Sequence, residues 1–196
     1  MNWSEILLLV CAALSIFLLF YKGSRHRQIR IFASIAILCV AVTLFPGLFS
    51  AQQTMVLEWV RITGITTVLL VLASIIRQLK PYYARYPYPF SFTPLAVLIF
   101  YPMVSDTAVL KDLLNQILQG GALLIALLLT LSLGRRVQKS FILWGGVLLL
   151  MISCIAYWMI SAEAFTPWLW QSSLSLGMVL CSWSFMDISE LLDQGS

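Results

Sequence analysis

ILLLVCAALSIFLLFYKGSRHRQIRIFASIAILCVAV, residues 6–42, is two apolar runs joined by a short basic hinge. The first run, Ile6 to Tyr21, carries no charge; Lys22, Arg25, Arg27 and Arg30 follow, and then a second apolar run begins. An α-helix needs roughly 20 apolar residues to cross the ~30 Å hydrocarbon layer of a bilayer. Only helices and closed barrels satisfy every backbone group internally there. The stretch therefore predicts a helical hairpin through a membrane. Glu5 precedes the first run without any basic residue, and bases rather than small residues follow it, so the run reads as a retained helix and not as a cleaved signal peptide.

The same punctuation continues along the chain. Apolar runs are expected as helices at about 3–21, 29–48, 56–76, 90–105, 107–133, 141–161 and 168–186, with a short acidic tail over 187–196. The fold class is thus all-α integral membrane, a seven-transmembrane-helix bundle forming one polytopic domain over residues 1–196. Composition agrees: 61% of the 196 residues are hydrophobic and only 10% charged, with a mean hydropathy of +0.94, whereas soluble domains are nearer a quarter charged. Seven spans leave room for little else.

Ten of the twelve Lys and Arg residues lie in alternate joints. After the first hinge come Arg77, Lys80 and Arg85, then Arg135, Arg136 and Lys139. Loops on the cytoplasmic side collect bases, so these three joints are expected inside, the N-terminus outside and the C-terminus in the cytoplasm of a multi-pass protein of the cell membrane. Trp3, Trp59, Trp168 and Trp170 then fall near outer ends, and Tyr82, Tyr83, Tyr86 and Tyr88 near an inner one, as interfacial belts. The net charge of +4 is accounted for by the inner joints. The partner implied is the lipid bilayer, and no nucleic acid is.

Chemistry-bearing motifs are scarce. Cys11, Cys39, Cys154 and Cys181 lie inside apolar runs, without disulfide or zinc spacing. His26 is the only histidine, so paired haem or metal ligands are not available. There is no Gly-rich phosphate loop and no lysine in the seventh segment to carry a retinal Schiff base. No catalytic residue, metal site or cofactor is expected.

The polar residues that stand out lie in the outer half. Glu58 and Arg61 are one turn apart on the third segment. Asp106 stands at the entrance of the fifth. Asp112, Asn115, Gln116 and Gln119 recur at i, i+3, i+4 and i+7, one helical face, with Lys111 beside that stripe and Gly120–Gly121 after it, where a neighbouring backbone could approach. Together these eight form a candidate ligand site in which Arg61 and Lys111 neutralise an acid, the amides supply hydrogen bonds, and Tyr101, Tyr157 or Trp158 form walls. Intramembrane ionisable residues usually face a bundle interior. The plainer reading is an interfacial ion pair, with Arg61 reaching the headgroups or pairing with Glu58.

Small residues at four-residue spacing, Ser173, Gly177 and Cys181, together with Gly145–Gly146, predict close helix packing. The aromatic and proline-rich stretch Lys80 to Pro94, KPYYARYPYPFSFTP, reads as an interfacial anchor or a docking surface for a membrane partner. The tail Asp187 to Ser196 carries Ile188, Leu191 and Leu192 on one face and acids on the other, a short amphipathic continuation that could meet the basic joints or a partner. These features point to a non-catalytic ligand-sensing module or accessory subunit of a membrane complex. The alternatives are a small-solute transporter using the outer pocket and, last, a lipid-modifying enzyme.

The orientation has a direct test. A cysteine at Gln52 is expected to react with an impermeant thiol reagent added outside the cell and a cysteine at Ser24 to stay protected; the reverse pattern would invert every statement about an outer site.

Overall fold

Apolar runs free of internal breakers form helices because no other local structure pairs all their backbone groups, and each of the long runs does so. The computed structural model describes residues 3–21, 26–43, 54–79, 85–104, 108–134, 140–159 and 166–194. Of these, 97% are helical and none lies in a strand. The α-helices are α1 (Trp3–Tyr21), α2 (Arg27–Thr43), α3 (Thr54–Leu79), α4 (Ala96–Phe100), α5 (Ala108–Leu133), α6 (Ser140–Met159) and α7 (Thr166–Gln194). Four of them, α1, α3, α5 and α6, are long and apolar enough to span a membrane.

The remaining three fall short for identifiable reasons. Helix α2 has only 17 residues. The region around α4 carries Pro87, Pro89, Pro94 and Pro102, which lack the N–H a regular helix needs. It is wound instead as 3₁₀ turns, Tyr88–Leu95 and Tyr101–Val104, on either side of the five-residue α4. Helix α7 is long, 29 residues, but Gln171, Ser173, Ser175, Ser182, Ser184 and Ser189 dilute it, and all six are buried.

The chain divides into two compact units. One contains α1, the second half of α5 from Leu123, α6 and α7. Here α7 packs on both α1 and α6. The buried stripe of α1 is Ser4, Leu8, Cys11, Ala12, Ser15 and Leu19, while Leu7, Val10, Leu14, Phe17 and Tyr21 are exposed on other faces. The α6–α7 contact is close. A Cβ added to Gly146 would lie 2.8 Å from Cys181 Sγ and 3.0 Å from its backbone nitrogen, and one on Gly177 would meet Leu150 at 2.9 Å and the Gly146 carbonyl oxygen at 3.1 Å. Ser153 adds a cross-helix bond, donating to the Trp170 carbonyl at 2.9 Å. Tyr157 stacks edge-on against both Trp158 and Trp170. The acidic stretch beginning at Asp187 continues α7 to Gln194, with Ile188 and Ser189 buried and Glu190 exposed.

The other unit contains α2, α3, α4 with its flanking turns, and the first half of α5 through Ala122. Helices α2 and α3 pack together where Gly64 faces Cys39; an added Cβ would lie 3.0 Å from the Cys39 Cβ. Before α2, His26 takes φ 58°, a left-handed conformation that a non-glycine residue rarely adopts. At the far end of α3, Arg77 donates to the Pro87 carbonyl at 3.3 Å and Ser91 Oγ at 3.4 Å, which fastens the proline-rich turn. Tyr86 against Phe90 and Phe32 against Phe92 complete an aromatic cluster. In the stretch proposed as a docking surface, Lys80 to Ala84 lie outside the described residues. Arg85, Tyr86, Pro87, Pro89 and Phe90 are exposed.

Hydroxyls inside the helices are mostly closed locally. Ser34, Thr63, Thr67, Thr130, Ser173 and Ser175 each donate to the carbonyl four residues earlier, at 2.6–2.9 Å. That arrangement removes the cost of burying them without needing a partner helix.

Gly146→Ala is expected to lower the detergent unfolding temperature, by the ~1–3 kcal/mol typical of forcing atoms into a filled contact. Gly121→Ala, where nothing lies within 4 Å among the described residues, is expected to leave it unchanged or raise it, since alanine is the better helix former. Equal effects of the two would mean that the α6–α7 approach does not hold the unit together.

Candidate functional site

The strongest polar contact joins two helices far apart in sequence. Lys111 Nζ on α5 donates to Glu58 Oε2 on α3 at 2.9 Å. Glu58 lies in the second turn of α3 and Lys111 in the first turn of α5. The side chains keep 24% and 39% of their exposure, Lys111 first, so solvent or headgroups still screen them. A pair this open contributes roughly 1 kcal/mol or less; its effect is positional, because it fixes the start of α5 against α3.

Beside the pair sits a buried phenol. Tyr101, 3% exposed, opens the second 3₁₀ turn. Its ring stands edge-on to Trp59 with centroids 5.8 Å apart, which puts Trp59 on the inner wall of the site. Its hydroxyl lies within electrostatic reach of Glu58, Lys111, Arg61 and Asp112, yet has no hydrogen-bond partner among the described residues. Asn115, one turn beyond Lys111 and 2% exposed, likewise has an unpartnered buried Oδ1. Buried polar atoms are nearly always bonded in native structures, so two open ones around a single ion pair distinguish this place from the rest of the unit.

The structure redistributes the residues expected here. Glu58, Lys111, Asp112 and the half-buried Arg61 lie within electrostatic reach of Tyr101, and Asn115 is buried one turn beyond Lys111. The carboxylate of Glu58 is taken by Lys111 rather than by Arg61, its neighbour one turn away, and Arg61 forms no ion pair among the described residues. The amide stripe on α5 does not act as one face: Asn115 points inward, Asp112 and Gln116 are exposed, and Gln119 is half-buried. The reason is rotational. The buried line of α5 is Asn115, Ala122, Leu129 and Leu133, spaced seven, seven and four, and Lys111 belongs to that line by its i−4 relation to Asn115. Asp112 and Gln116 are displaced from it around the helix. Gly120 and Gly121 have nothing within 4 Å, so the close backbone approach expected there is absent among the described residues. Asp106 lies outside the described residues. Tyr157 and Trp158 belong to the unit of α6 and α7, where the Tyr157 ring engages both Trp158 and Trp170.

No grouping of three His, Cys, Asp or Glu side chains able to hold a metal occurs among the described residues, and all four cysteines are free thiols. The groups within reach of one another, one guanidinium, one ammonium, a phenol and an amide with the carboxylates of Glu58 and Asp112, can recognise a small polar molecule by hydrogen bonds.

Comparison with known proteins found no matching family, no similar curated protein and no similar solved structure. The site is therefore read from its own geometry.

A double-mutant cycle on Glu58→Gln and Lys111→Met tests the pair. The two single variants are expected to destabilise and the double variant to recover part of the loss, with a coupling of roughly 0.5–1 kcal/mol in thermal unfolding. Strictly additive effects would show that the 2.9 Å contact carries no energy.

Proposed function

We propose that this chain is a seven-span protein of the cell membrane, N-terminus outside and C-terminus cytoplasmic. In this reading it is a non-catalytic ligand-sensing module that binds a small polar acid at the outer ends of α3 and α5. The distribution of Lys and Arg supports the orientation. Two features support counting the short elements as spans. A 3₁₀ helix rises about 2.0 Å per residue against 1.5 Å for an α-helix, so Tyr88–Val104, mostly 3₁₀, reaches about 31 Å if its pieces run collinear, enough for a ~30 Å hydrocarbon layer. Helix α7, packed by α1 and α6, presents its serines to protein and does not need a lipid-compatible composition.

The single observation that carries the ligand reading is the pair of buried, unpartnered atoms, Tyr101 OH and Asn115 Oδ1, next to Arg61 and the Lys111–Glu58 bridge. Asn115 Oδ1 needs a donor. Arg61 needs an anion. A small hydroxy or amino acid supplies both, its carboxylate on the guanidinium and its hydroxyl or ammonium on the amide oxygen. Such a ligand would also compete with Glu58 for Lys111, which makes the α3–α5 link responsive to occupancy. The signal would pass to a membrane partner, in keeping with an accessory-subunit role. A second reading, a small-solute transporter, is favoured by Thr66. Its buried hydroxyl is unpartnered about two turns beyond Glu58 on α3, a polar group on the way to the membrane midplane.

The test is thermal unfolding of the detergent-purified chain against a panel of small hydroxy, keto and amino acids. At least one is expected to raise the unfolding temperature, and Arg61→Ala and Tyr101→Phe to abolish that rise. Without ligand, Tyr101→Phe is expected to be as stable as the parent or more so, because it removes an unpaired buried hydroxyl. A panel without effect, or stabilisation that survives both substitutions, would overturn the site. Uptake of the same acid into liposomes would move the assignment to transport.

A further inference from the structure

Helix α5 has a second face that the ligand site leaves unused. Only 17% of an apolar 18-residue stretch within Leu110–Leu133 is buried, the least of the four candidate spans. Opposite its buried line lie Leu113, Ile117, Leu124 and Leu131, all exposed, the last three at seven-residue intervals. Gln116 and Gly120 are exposed on the same side, one turn apart. A face of leucines alone needs no explanation in a bilayer; the exposed stripe of α1, purely aliphatic and aromatic, is of that kind. The α5 face differs in two respects. A 24-residue window is about 36 Å long, and a ~30 Å hydrocarbon slab centred on it covers Gln116 by about 6 Å. That is too deep for its short side chain to reach headgroups, so in a monomer the carboxamide would face lipid without a partner, which is costly. One turn on, Gly120 has nothing within 4 Å among the described residues, an open notch in a wall of large side chains.

We infer that this face of α5 pairs with the same face of a second copy of the chain. A carboxamide is self-complementary, carrying both donor and acceptor. A two-fold axis along the membrane normal, between parallel helices, sets residue i opposite its own counterpart. Gln116 would then bond Gln116 of the partner copy, an occupant that the amide chemistry selects over bare lipid. Gly120 directly below removes the side chain that would hold the backbones apart, as small residues do at membrane helix contacts. Leu113, Ile117, Leu124 and Leu131 supply the packing on either side. Asp112 falls at the rim, where it does not oppose its own copy. The inference stands on α5 alone and is independent of the ligand proposed above.

The experiment is counting by stepwise photobleaching of the full chain in liposomes of bilayer-forming lipid, over a range of protein-to-lipid ratios, together with disulfide crosslinking of single cysteines in native membranes. Dimers are expected. Cysteines at Gln116 and Gly120 should crosslink, and cysteines at Ala122 and Leu129 should not. Gln116→Leu is expected to weaken dimerisation roughly tenfold, in line with interhelical amide bonds, Gly120→Leu at least as much, and Gln116→Asn to retain most of it. A chain that stays monomeric at every ratio overturns the inference. So do crosslinks confined to Ala122 and Leu129, or dimers indifferent to both leucine substitutions. Circular dichroism and monomer unfolding temperature, expected unchanged for Gln116→Leu, separate lost association from lost folding.

Discussion

Lipid tails are as apolar as leucine, so burying leucine between two membrane helices gains little over leaving it in the bilayer. That constraint organises this molecule. Its helices hold together where side chains are small enough to bring backbones close. Gly146 lies against Cys181, Gly177 against Leu150 and the Gly146 carbonyl, and Gly64 against Cys39. Large apolar side chains such as Val10, Phe17, Leu124 and Ile152 are turned outward, the opposite of their place in a soluble protein. The most polar of the long helices, α7, sits between α1 and α6. Inside such a bundle serine is a small residue first and a polar one second, since its hydroxyl can return to its own helix.

Against this background the open polar atoms acquire meaning. Buried hydroxyls such as Ser34, Thr67, Thr130, Ser173 and Ser175 are satisfied by the preceding turn, so those that are not stand apart. Tyr101 and Asn115 do so next to an interhelical ion pair and an arginine without an ion-pair partner, and neither can close on its own backbone the way serine does. The unit of α6 and α7 has its own open atoms, Ser15 Oγ, Gln171 Oε1, Ser172 Oγ, Ser184 Oγ and Asp187 Oδ2, spread along α1 and α7. Convergence of charge and unsatisfied hydrogen bonding, rather than either alone, separates the Tyr101 cluster from hydroxyls that are merely buried.

Much of the fold was legible because helices in lipid are defined by composition over a length, which a sequence displays directly. The helix-to-helix contacts were legible where small residues cluster, as at Gly145–Gly146 and Ser173–Gly177–Cys181. Gly64 was not: a lone glycine in an apolar run looks the same whether it meets Cys39 or lipid. At Gly120–Gly121 the signal for close approach meets no neighbour within 4 Å among the described residues. The proximity of Glu58, Arg61 and Lys111 was legible in part, but not their pairing. Spacing along α3 paired Glu58 with Arg61, because one turn is the only distance a sequence gives. The Lys111 contact depends on how α3 and α5 meet, 53 residues apart. Likewise the polar stripe on α5 was real as a helical face but rotated from the buried one, and only the line through Lys111, Asn115, Ala122 and Leu129 marks which way the helix turns. The proline-rich stretch announced irregularity without announcing 3₁₀ winding, which depends on which carbonyls remain free between Pro87, Pro89 and Pro94.

In the reading proposed above, helix α5 carries two functions on two faces within three turns. Lys111 and Asn115 look toward α3 and Tyr101; Gln116 and Gly120 look away. A helix is stiff over that distance, so neither face can move alone. If an acid takes Lys111 from Glu58, the start of α5 loses an ion pair that ties it to α3, and a tilt that follows would be transmitted to the Gln116 face. Linkage makes the relation reciprocal: if occupancy favours one association state, that state must bind the acid more tightly by the same factor. The small free energy of a part-exposed ion pair suits this arrangement. A strong, fully buried bridge would lock α5 against any ligand, whereas one worth roughly 1 kcal/mol or less is within the reach of a single competing carboxylate.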